Sequence, residues 1–332
     1  MELKGKNVLI TGGSSGIGKA AAKLLSGEAA NVFILARDQG KLDRALEEIR
    51  AEGRSPDQQY GAFSADVTSY EEVEDAIAAI VETGGPPDVL INSVGMVYPG
   101  YFEELPLSTF REQMDVNFFG TLHTVKAVLP HMMAQGGGHI VNISSLGGAI
   151  GAFGYTAYGA SKFAVCGFTE ALRAELKPHN IGVSLVLPFD TDTPQLWGEK
   201  KIQPLETKIL TGSVKPEKPS RPSEFIAYWV VVKLLLSGGE PMSPEQVAAA
   251  ILRGIRRGHY VVVPDLVQRM GYYLRGLIIP LANWAQDQLV PLARKQRGAS
   301  GQARLGLAVS APESPAPREG SVGLQGGANT TG

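Results

Sequence analysis

The chain has 332 residues, of which 44% are hydrophobic, and its formal net charge is −2 at pH 7. This composition is typical of a soluble globular protein with a large core, and the lack of a basic excess argues against nucleic acid as a partner. Cys166 is the single cysteine, so the chain forms no internal disulfide, and we expect no metal site. Because the sequence shows neither a signal-peptide pattern nor an uninterrupted apolar run of about 18 residues, we expect a cytoplasmic protein.

Short apolar runs alternate with helical segments over the first part of the chain. Strands are predicted at residues 7–10, 31–36, 60–65, 88–92, 139–143 and 182–187, with a short last strand at 261–263. Helices are predicted at residues 19–25, 41–51, 71–81, 110–133 and 157–176. Strands that are apolar throughout are buried on both faces, so the pattern predicts an α/β fold with a doubly wound, Rossmann-type parallel sheet.

The pattern loosens after Pro188. Residues 189–218 are rich in proline, threonine and charge, which predicts a loop with short helical turns. Ser243, Pro244 and Gln246 predict the start of a further helix, with Ser243 as N-cap and Gln246 completing a capping box. Residues 297–332 contain few large apolar side chains, so we expect a disordered tail.

The segment after the first strand predicts a phosphate-binding turn. It reads T-G-G-S-S-G-I-G from residue 11 and leads into the first helix. Glycines at such a junction let a pyrophosphate approach the backbone and the helix N-terminus. The alternative is a glycine-rich turn without a ligand. The residues predicted to bind the cofactor here are Gly12, Ser14, Ser15, Gly16, Ile17 and Gly18.

The end of the second predicted strand indicates which dinucleotide is preferred. Arg37 and Lys41 are suited to the 2′-phosphate of NADP, because a guanidinium can bind phosphate through two hydrogen bonds. Asp38 is either a helix N-cap or a ligand of the NAD ribose. We therefore expect NADPH/NADP+, with NAD as the less favoured alternative.

Tyr158 and Lys162 predict an acid–base pair, because residues four apart on a helix share one face. A free tyrosine has a pKa of about 10, and a nearby ammonium lowers it. A tyrosine tuned in this way is typical of the proton donor in carbonyl reduction. The alternative is a surface tyrosine beside a solvated lysine.

These features resemble the short-chain dehydrogenase/reductase family over about residues 6–194. The resemblance rests on the glycine turn together with Asp66-Val67, Asn92-Ser93-Val94-Gly95, Asn117, Ser145, Tyr158 and Lys162, which occur in family order. The chain departs from the family at Ser93-Val94, where Asn-Ala is usual. It departs again at Phe189, where glycine usually follows the proline.

The resemblance implies a role for each matching residue. Ser145 would hydrogen-bond the substrate carbonyl, and Tyr158 would donate its proton to that oxygen. Lys162 would hold the ribose and lower the pKa of Tyr158, and Asn117 would hold a water in a proton relay. The other implied cofactor contacts are Asp66, Val67, Asn92, Gly95, Pro188, Thr191 and Thr193. The alternatives are a strand-capping role for Ser145 and a buried helical asparagine at Asn117.

Further motifs resemble the branch of this family that reduces 3-keto sphingoid bases with NADPH. The most distinctive are D-T-D-T-P at residues 190–194 and P-L-E-T at 204–207. They imply a hydrophobic ketone as substrate, with Asp190 and Asp192 either meeting a substrate amine or forming turns. The alternatives are reduction of another hydrophobic ketone, such as a steroid or 3-oxoacyl compound, and a non-catalytic nucleotide sensor.

Two apolar stretches, residues 225–236 and 272–292, suggest peripheral membrane contact. Packing in the core or in a dimer is the alternative, and we expect a homo-oligomer. If the protein contacts a membrane, we expect it on the cytoplasmic face, at the endoplasmic reticulum in a eukaryote. The predicted parts are an NADP-binding catalytic domain at 1–265, with a substrate loop and apolar insert at 189–242, an apolar helical extension at 266–296, and the tail.

Overall fold

The computed structural model describes residues 1–215, 221–229 and 241–299. Its centre is one parallel sheet of seven strands in the order β3-β2-β1-β4-β5-β6-β7. The strands are β1 (Asn7–Thr11), β2 (Asn31–Ala36), β3 (Tyr60–Ser64), β4 (Val89–Asn92), β5 (Gly138–Ile143), β6 (Ile181–Val186) and β7 (Val261–Val262). This order is that of a doubly wound sheet, so the predicted fold class is confirmed.

Twelve helices surround the sheet in the part of the chain that the structure describes. The first six are α1 (Gly16–Ser26), α2 (Gln39–Arg50), α3 (Tyr70–Gly84), α4 (Leu107–Met114), α5 (Gly120–Ala134) and α6 (Thr156–Leu176). The others are α7 (Pro194–Ile202), α8 (Leu205–Leu210), α9 (Pro222–Trp229), α10 (Pro244–Arg257), α11 (Leu266–Tyr273) and α12 (Arg275–Ala299).

Both faces of the sheet are buried. Successive residues of a strand point to opposite faces. Val8 and Ile10 of β1 therefore belong to a core with α1, α2 and α10, while Leu9 belongs to a second core with α3, α5 and α6. All three side chains have no exposed surface. A strand buried between two cores needs apolar side chains on both of its faces, which explains the unbroken apolar runs in the sequence.

The predicted long helix at residues 110–133 is interrupted. A π-helical turn, Asp115–Phe119, separates α4 from α5. The wider turn carries Asn117, which is fully buried. π-helical turns are rare in proteins, and those that occur are often at functional sites. The apolar spacing of this segment did not predict the π-helical turn.

The predicted start of α10 is confirmed. Ser243 Oγ accepts a hydrogen bond from the Gln246 backbone N–H at 3.2 Å, and Gln246 Oε1 accepts one from the Ser243 N–H at 2.9 Å. A cap of this kind contributes about 1 kcal/mol to stability.

The segment after β6 contains more helix than predicted. Helices α7 and α8 lie within the predicted loop at 189–218, and α12 continues to Ala299, past the predicted start of the tail at Arg297. Residues 300–332 of that tail and 230–236 of the first apolar stretch lie outside the described residues. Across the ranges given above, no helix combines the length and apolar character needed to cross a bilayer.

Candidate active site

One cavity of about 1310 Å³ opens at the carboxyl ends of the strands. Its walls include residues that follow β1, β2, β3, β4 and β5, which is where ligands bind in open α/β sheets. The same cavity continues past Tyr158 to residues of α7, α8, α11 and α12. It is larger than the roughly 300–1,000 Å³ of most ligand pockets, so it has room for more than one molecule.

The glycine turn forms the first wall of the cavity. Gly12 has a φ of +69°, and a Cβ there would lie 2.8 Å from the Ser93 carbonyl oxygen, so only glycine fits without a shift. Gly16 has a φ of +52°, and a Cβ there would lie 3.2 Å from Thr193 Cγ2. Gly18 does not line the cavity, because its Cα packs against the Gly12 carbonyl. The remaining predicted residues of the turn that line the cavity are Ser14, Ser15 and Ile17.

The charged residues predicted to select the dinucleotide lie at one edge of the cavity. Arg37 is 72% exposed and its Nη1 lies 3.6 Å from Asp66 Oδ2. Lys41 and Val67 also line this edge. Asp38 is the N-cap of α2, since its carboxylate accepts the Lys41 backbone N–H at 2.9 Å. That bond holds the pKa of Asp38 below its ordinary value.

Ser145, Tyr158 and Lys162 meet in the middle of the cavity. Lys162 is 5% exposed, its Nζ donates to the Ile143 carbonyl at 3.1 Å, and it lies 5.9 Å from the centre of the Tyr158 ring. Ser145 Oγ accepts the Gly147 N–H at 3.1 Å, and Ser145 lies close enough to Tyr158 to lower its pKa. The residues therefore come together as predicted, on the end of β5 and the inner face of α6.

The pKa values of the tyrosine and the lysine move in opposite directions. Burial raises the pKa of Tyr158 above its ordinary value, and the neighbouring Ser145 hydroxyl acts in the opposite direction. Burial also lowers the pKa of Lys162 to about 8. The lowering of the Tyr158 pKa by Lys162 stays a prediction. The tyrosine is protonated at neutral pH, which suits a proton donor.

The family model described as short chain dehydrogenase matches residues 6–203. The chain belongs to the short-chain dehydrogenase/reductase family. A 3-dehydrosphinganine reductase from Danio rerio is 39% identical over 227 residues, which are 68% of this chain and 68% of the relative. A 3-ketodihydrosphingosine reductase from Dictyostelium discoideum is 36% identical over 283 residues, 81% of this chain and 77% of the relative.

A solved structure supports the same assignment. The crystal structure of a short-chain dehydrogenase/reductase from Burkholderia phymatum in complex with NAD has a TM-score of 0.68 and 25% sequence identity. The match covers 85% of this chain and 96% of that chain. The family fold therefore extends well beyond the segment that carries the motifs.

Two residues that the family resemblance placed in the site lie behind its wall. Asn92 is buried and its side chain is bonded to Thr124 and Asn142. Asn117 donates both amide protons, to the Met96 carbonyl at 2.9 Å and to Ser161 Oγ at 2.8 Å. Neither residue lines the cavity. Both position the cavity wall, and the amide protons of Asn117 are already used within the protein.

The other implied cofactor residues do line the cavity. Gly95 lies so close to Lys162 that a Cβ there would be 3.4 Å from its Nζ. Thr193 is the N-cap of α7, and Thr191 Oγ1 donates to the Phe189 carbonyl at 2.9 Å. The implied contacts in the cavity wall are Asp66, Val67, Gly95, Pro188, Thr191 and Thr193.

A second polar cluster lies in the cavity, and sequence reasoning missed its members Tyr155, Glu199 and Gln203. Tyr155 donates its hydroxyl to Glu199 Oε1 at 2.7 Å and accepts the Gln203 amide at 2.6 Å. Asp190 also lines the cavity, with Lys200 Nζ 3.9 Å from its carboxylate. The one signal in the sequence is the four-residue spacing of Glu199, on α7, and Gln203, which directly follows α7.

Helices α11 and α12 form the apolar end of the cavity. Its lining there includes Met270, Leu274, Ile278 and Ala282. The Gln286 side chain of α12 accepts the Phe153 backbone N–H at 3.1 Å, which ties this helix to the loop before Tyr158. The apolar end lies beyond the residues that the family model matches.

Proposed function

We propose that this protein is an NADPH-dependent reductase of a 3-keto sphingoid base, forming dihydrosphingosine from 3-ketodihydrosphingosine. The observation that carries the proposal is that one cavity joins the glycine turn, the Tyr158 hydroxyl and an apolar end. The names of the two relatives support the choice of ketone, because both act on this class of lipid. The apolar end supports it physically, since a long alkyl chain needs such a surface.

The residues present fit a dinucleotide. Gly12, Ser14, Ser15 and Gly16 line the cavity at the N-terminus of α1 and form a cradle, where backbone N–H groups favour phosphate. Arg37 and Lys41 lie exposed at the edge of the same cradle, where they would bind a 2′-phosphate. When bound there, the reduced nicotinamide supplies the hydride.

The protein's own residues would handle the proton and the carbonyl. Tyr158 is held in its protonated form and would donate to the carbonyl oxygen. Ser145 would hold that oxygen beside the tyrosine hydroxyl. Lys162, buried and fixed by the Ile143 carbonyl, would hold the ribose hydroxyls. A general acid in such a position contributes about 10²- to 10⁴-fold to the rate.

The test is consumption of NADPH by the purified protein with three ketones. We expect turnover of 3-ketodihydrosphingosine, with weaker turnover of a steroid ketone and of a 3-oxoacyl compound. Preferred turnover of either alternative would contradict the choice of substrate. No turnover of any of them, with NADPH bound, would favour a nucleotide-sensing role.

We also propose that the mouth of the cavity contacts a membrane surface. Met270 and Leu274 line the cavity and are also 57% and 48% exposed, and Leu277 nearby is 77% exposed. A lipid ketone would then pass from the bilayer into the cavity along a continuous apolar surface.

A further inference from the structure

The polar cluster around Glu199 is built to hold one carboxylate oxygen and leave the other open. Tyr155 and Gln203 both donate to Glu199 Oε1, at 2.7 Å and 3.2 Å. Oε2 has no hydrogen-bond partner among the residues in 1–215, 221–229 and 241–299. Glu199 lines the cavity, so the open oxygen belongs to a side chain that a ligand can reach.

The hydrogen-bonding positions left open in this cluster are acceptors. The Tyr155 hydroxyl is used twice, as donor to Glu199 and as acceptor from Gln203. Gln203 is 6% exposed, and its Oε1 is buried without a hydrogen-bond partner in the described part of the chain. A ligand that completes the cluster must therefore bring N–H or O–H donors.

The charge of the cluster favours a cationic ligand. Asp190 and Glu199 both line the cavity, and Lys200 is the one cation seen to act on them within the described residues. Lys200 forms an ion pair with Asp190, and its Nζ lies 5.0 Å from the centre of the Trp197 ring. Burial raises the pKa of Glu199 to about 7, so at pH 8 its carboxylate carries a charge that a second ammonium group would balance.

The polar cluster around Glu199 lies beside Tyr158, the residue proposed to donate a proton to the ketone. The rings of Tyr155 and Tyr158 are 6.0 Å apart between centres. The negative charges of Glu199 and Asp190 are near enough to raise the pKa of Tyr158. Glu199 and Tyr158 line the same cavity, so one ligand can contact both.

We propose that Glu199, oriented by Tyr155 and Gln203, binds the protonated amino group of the substrate. The inference rests on the proposed function, since a 3-keto sphingoid base carries its amine on the carbon next to the ketone. The carboxylate makes the site specific for amino ketones over simple long-chain ketones. The bound ammonium also offsets the negative charge near Tyr158, which makes the tyrosine a stronger acid when the right substrate is present.

The experiment measures binding, so that it does not depend on turnover. Two water-soluble, short-chain ligands are titrated calorimetrically into the protein with NADP+ present, at about pH 8. One is a 2-amino-1,3-diol and the other is the matching diol without the amine. Wild type is compared with Glu199→Gln. The control is Asp192→Asn, because Asp192 belongs to the same segment but bonds the Trp197 indole outside the cavity wall.

We expect wild type to bind the amino diol about 10- to 100-fold more tightly than the diol, as for a partly buried charge pair. Glu199→Gln should remove this preference and leave binding of the plain diol and of NADP+ unchanged, while Asp192→Asn keeps it. Loss of both ligands equally, or a retained preference, would overturn the inference. Failure of the proposed function gives a different result, in which the wild type binds the amino diol but reduces no keto sphingoid base.

Discussion

The two ends of the cavity are built in different ways. The end near the glycine turn is formed by backbone and short loops at the carboxyl ends of β1 to β5. The other end is formed by side chains of α7, α8, α11 and α12, which lie outside the sheet. The first end therefore depends on local chain geometry, and the second on how distant helices pack. Substitutions at each end should consequently affect different properties.

The largest effect is expected where the two ends meet. Tyr158→Phe should lower kcat/KM for ketone reduction by about 10³-fold, because it removes the proton donor and leaves the ring in place. NADPH binding should change little. Tyr70→Phe is the matched control, since Tyr70 lies exposed on α3, where its hydroxyl bonds Glu74. Steady-state kinetics with both variants checks this, and a Tyr158→Phe protein of normal activity would refute the mechanism.

At the first end, Arg37→Ala should weaken NADPH without weakening NADH. We expect the KM for NADPH to rise about tenfold, because a charge-assisted hydrogen bond contributes about 1.5–3 kcal/mol and this side chain is exposed. Kinetics with each dinucleotide measures the ratio. Arg50→Ala on α2 is the control, because Arg50 packs over the Tyr60 ring away from the cavity. Equal loss of NADPH and NADH would contradict a role in 2′-phosphate binding.

At the second end, Ala282→Phe should separate long substrates from short ones. Ala282 is 6% exposed and lines the apolar part of the cavity, so a phenyl ring would occupy the space of the alkyl chain. We expect kcat/KM to fall about fivefold or more for a long-chain ketone and to stay near wild type for a short one. Ala78→Phe, on the exposed face of α3, is the control. Thermal unfolding of both variants tests for a general packing defect, and parallel loss of both substrates would count against an alkyl-chain site.

The smallest effect is expected at the exposed apolar surface of α12, beside the apolar end of the cavity. Leu277→Glu should reduce co-sedimentation with phospholipid vesicles by a few-fold, because it removes one exposed apolar side chain from the proposed contact. Reduction of a water-soluble ketone should be unchanged, since Leu277 does not line the cavity. Vesicle binding equal to that of wild type would argue against membrane contact through α12.

Much of the first end was predictable from local sequence. Apolar strands buried on both faces, the glycine turn after β1 and the capping box of α10 each depend on neighbouring residues, so their spacing is visible in the chain. Asn92 and Asn117 show the limit of motif matching. Both residues match the family motifs, but their side chains form hydrogen bonds behind the cavity wall and do not line the cavity.

The sequence by itself determined the apolar strands of the parallel sheet and the motifs of the family, because these follow from local patterns. The resemblance of those motifs to the family then implied the meeting of Ser145, Tyr158 and Lys162. Only the tertiary structure decided that Tyr155, from the loop before α6, meets Glu199 of α7 and Gln203 directly after it. It also decided that α11 and α12 form the apolar end of the cavity. Those contacts join residues about 45 to 130 positions apart. Packing of helices outside the sheet brings them together, and no local spacing records it.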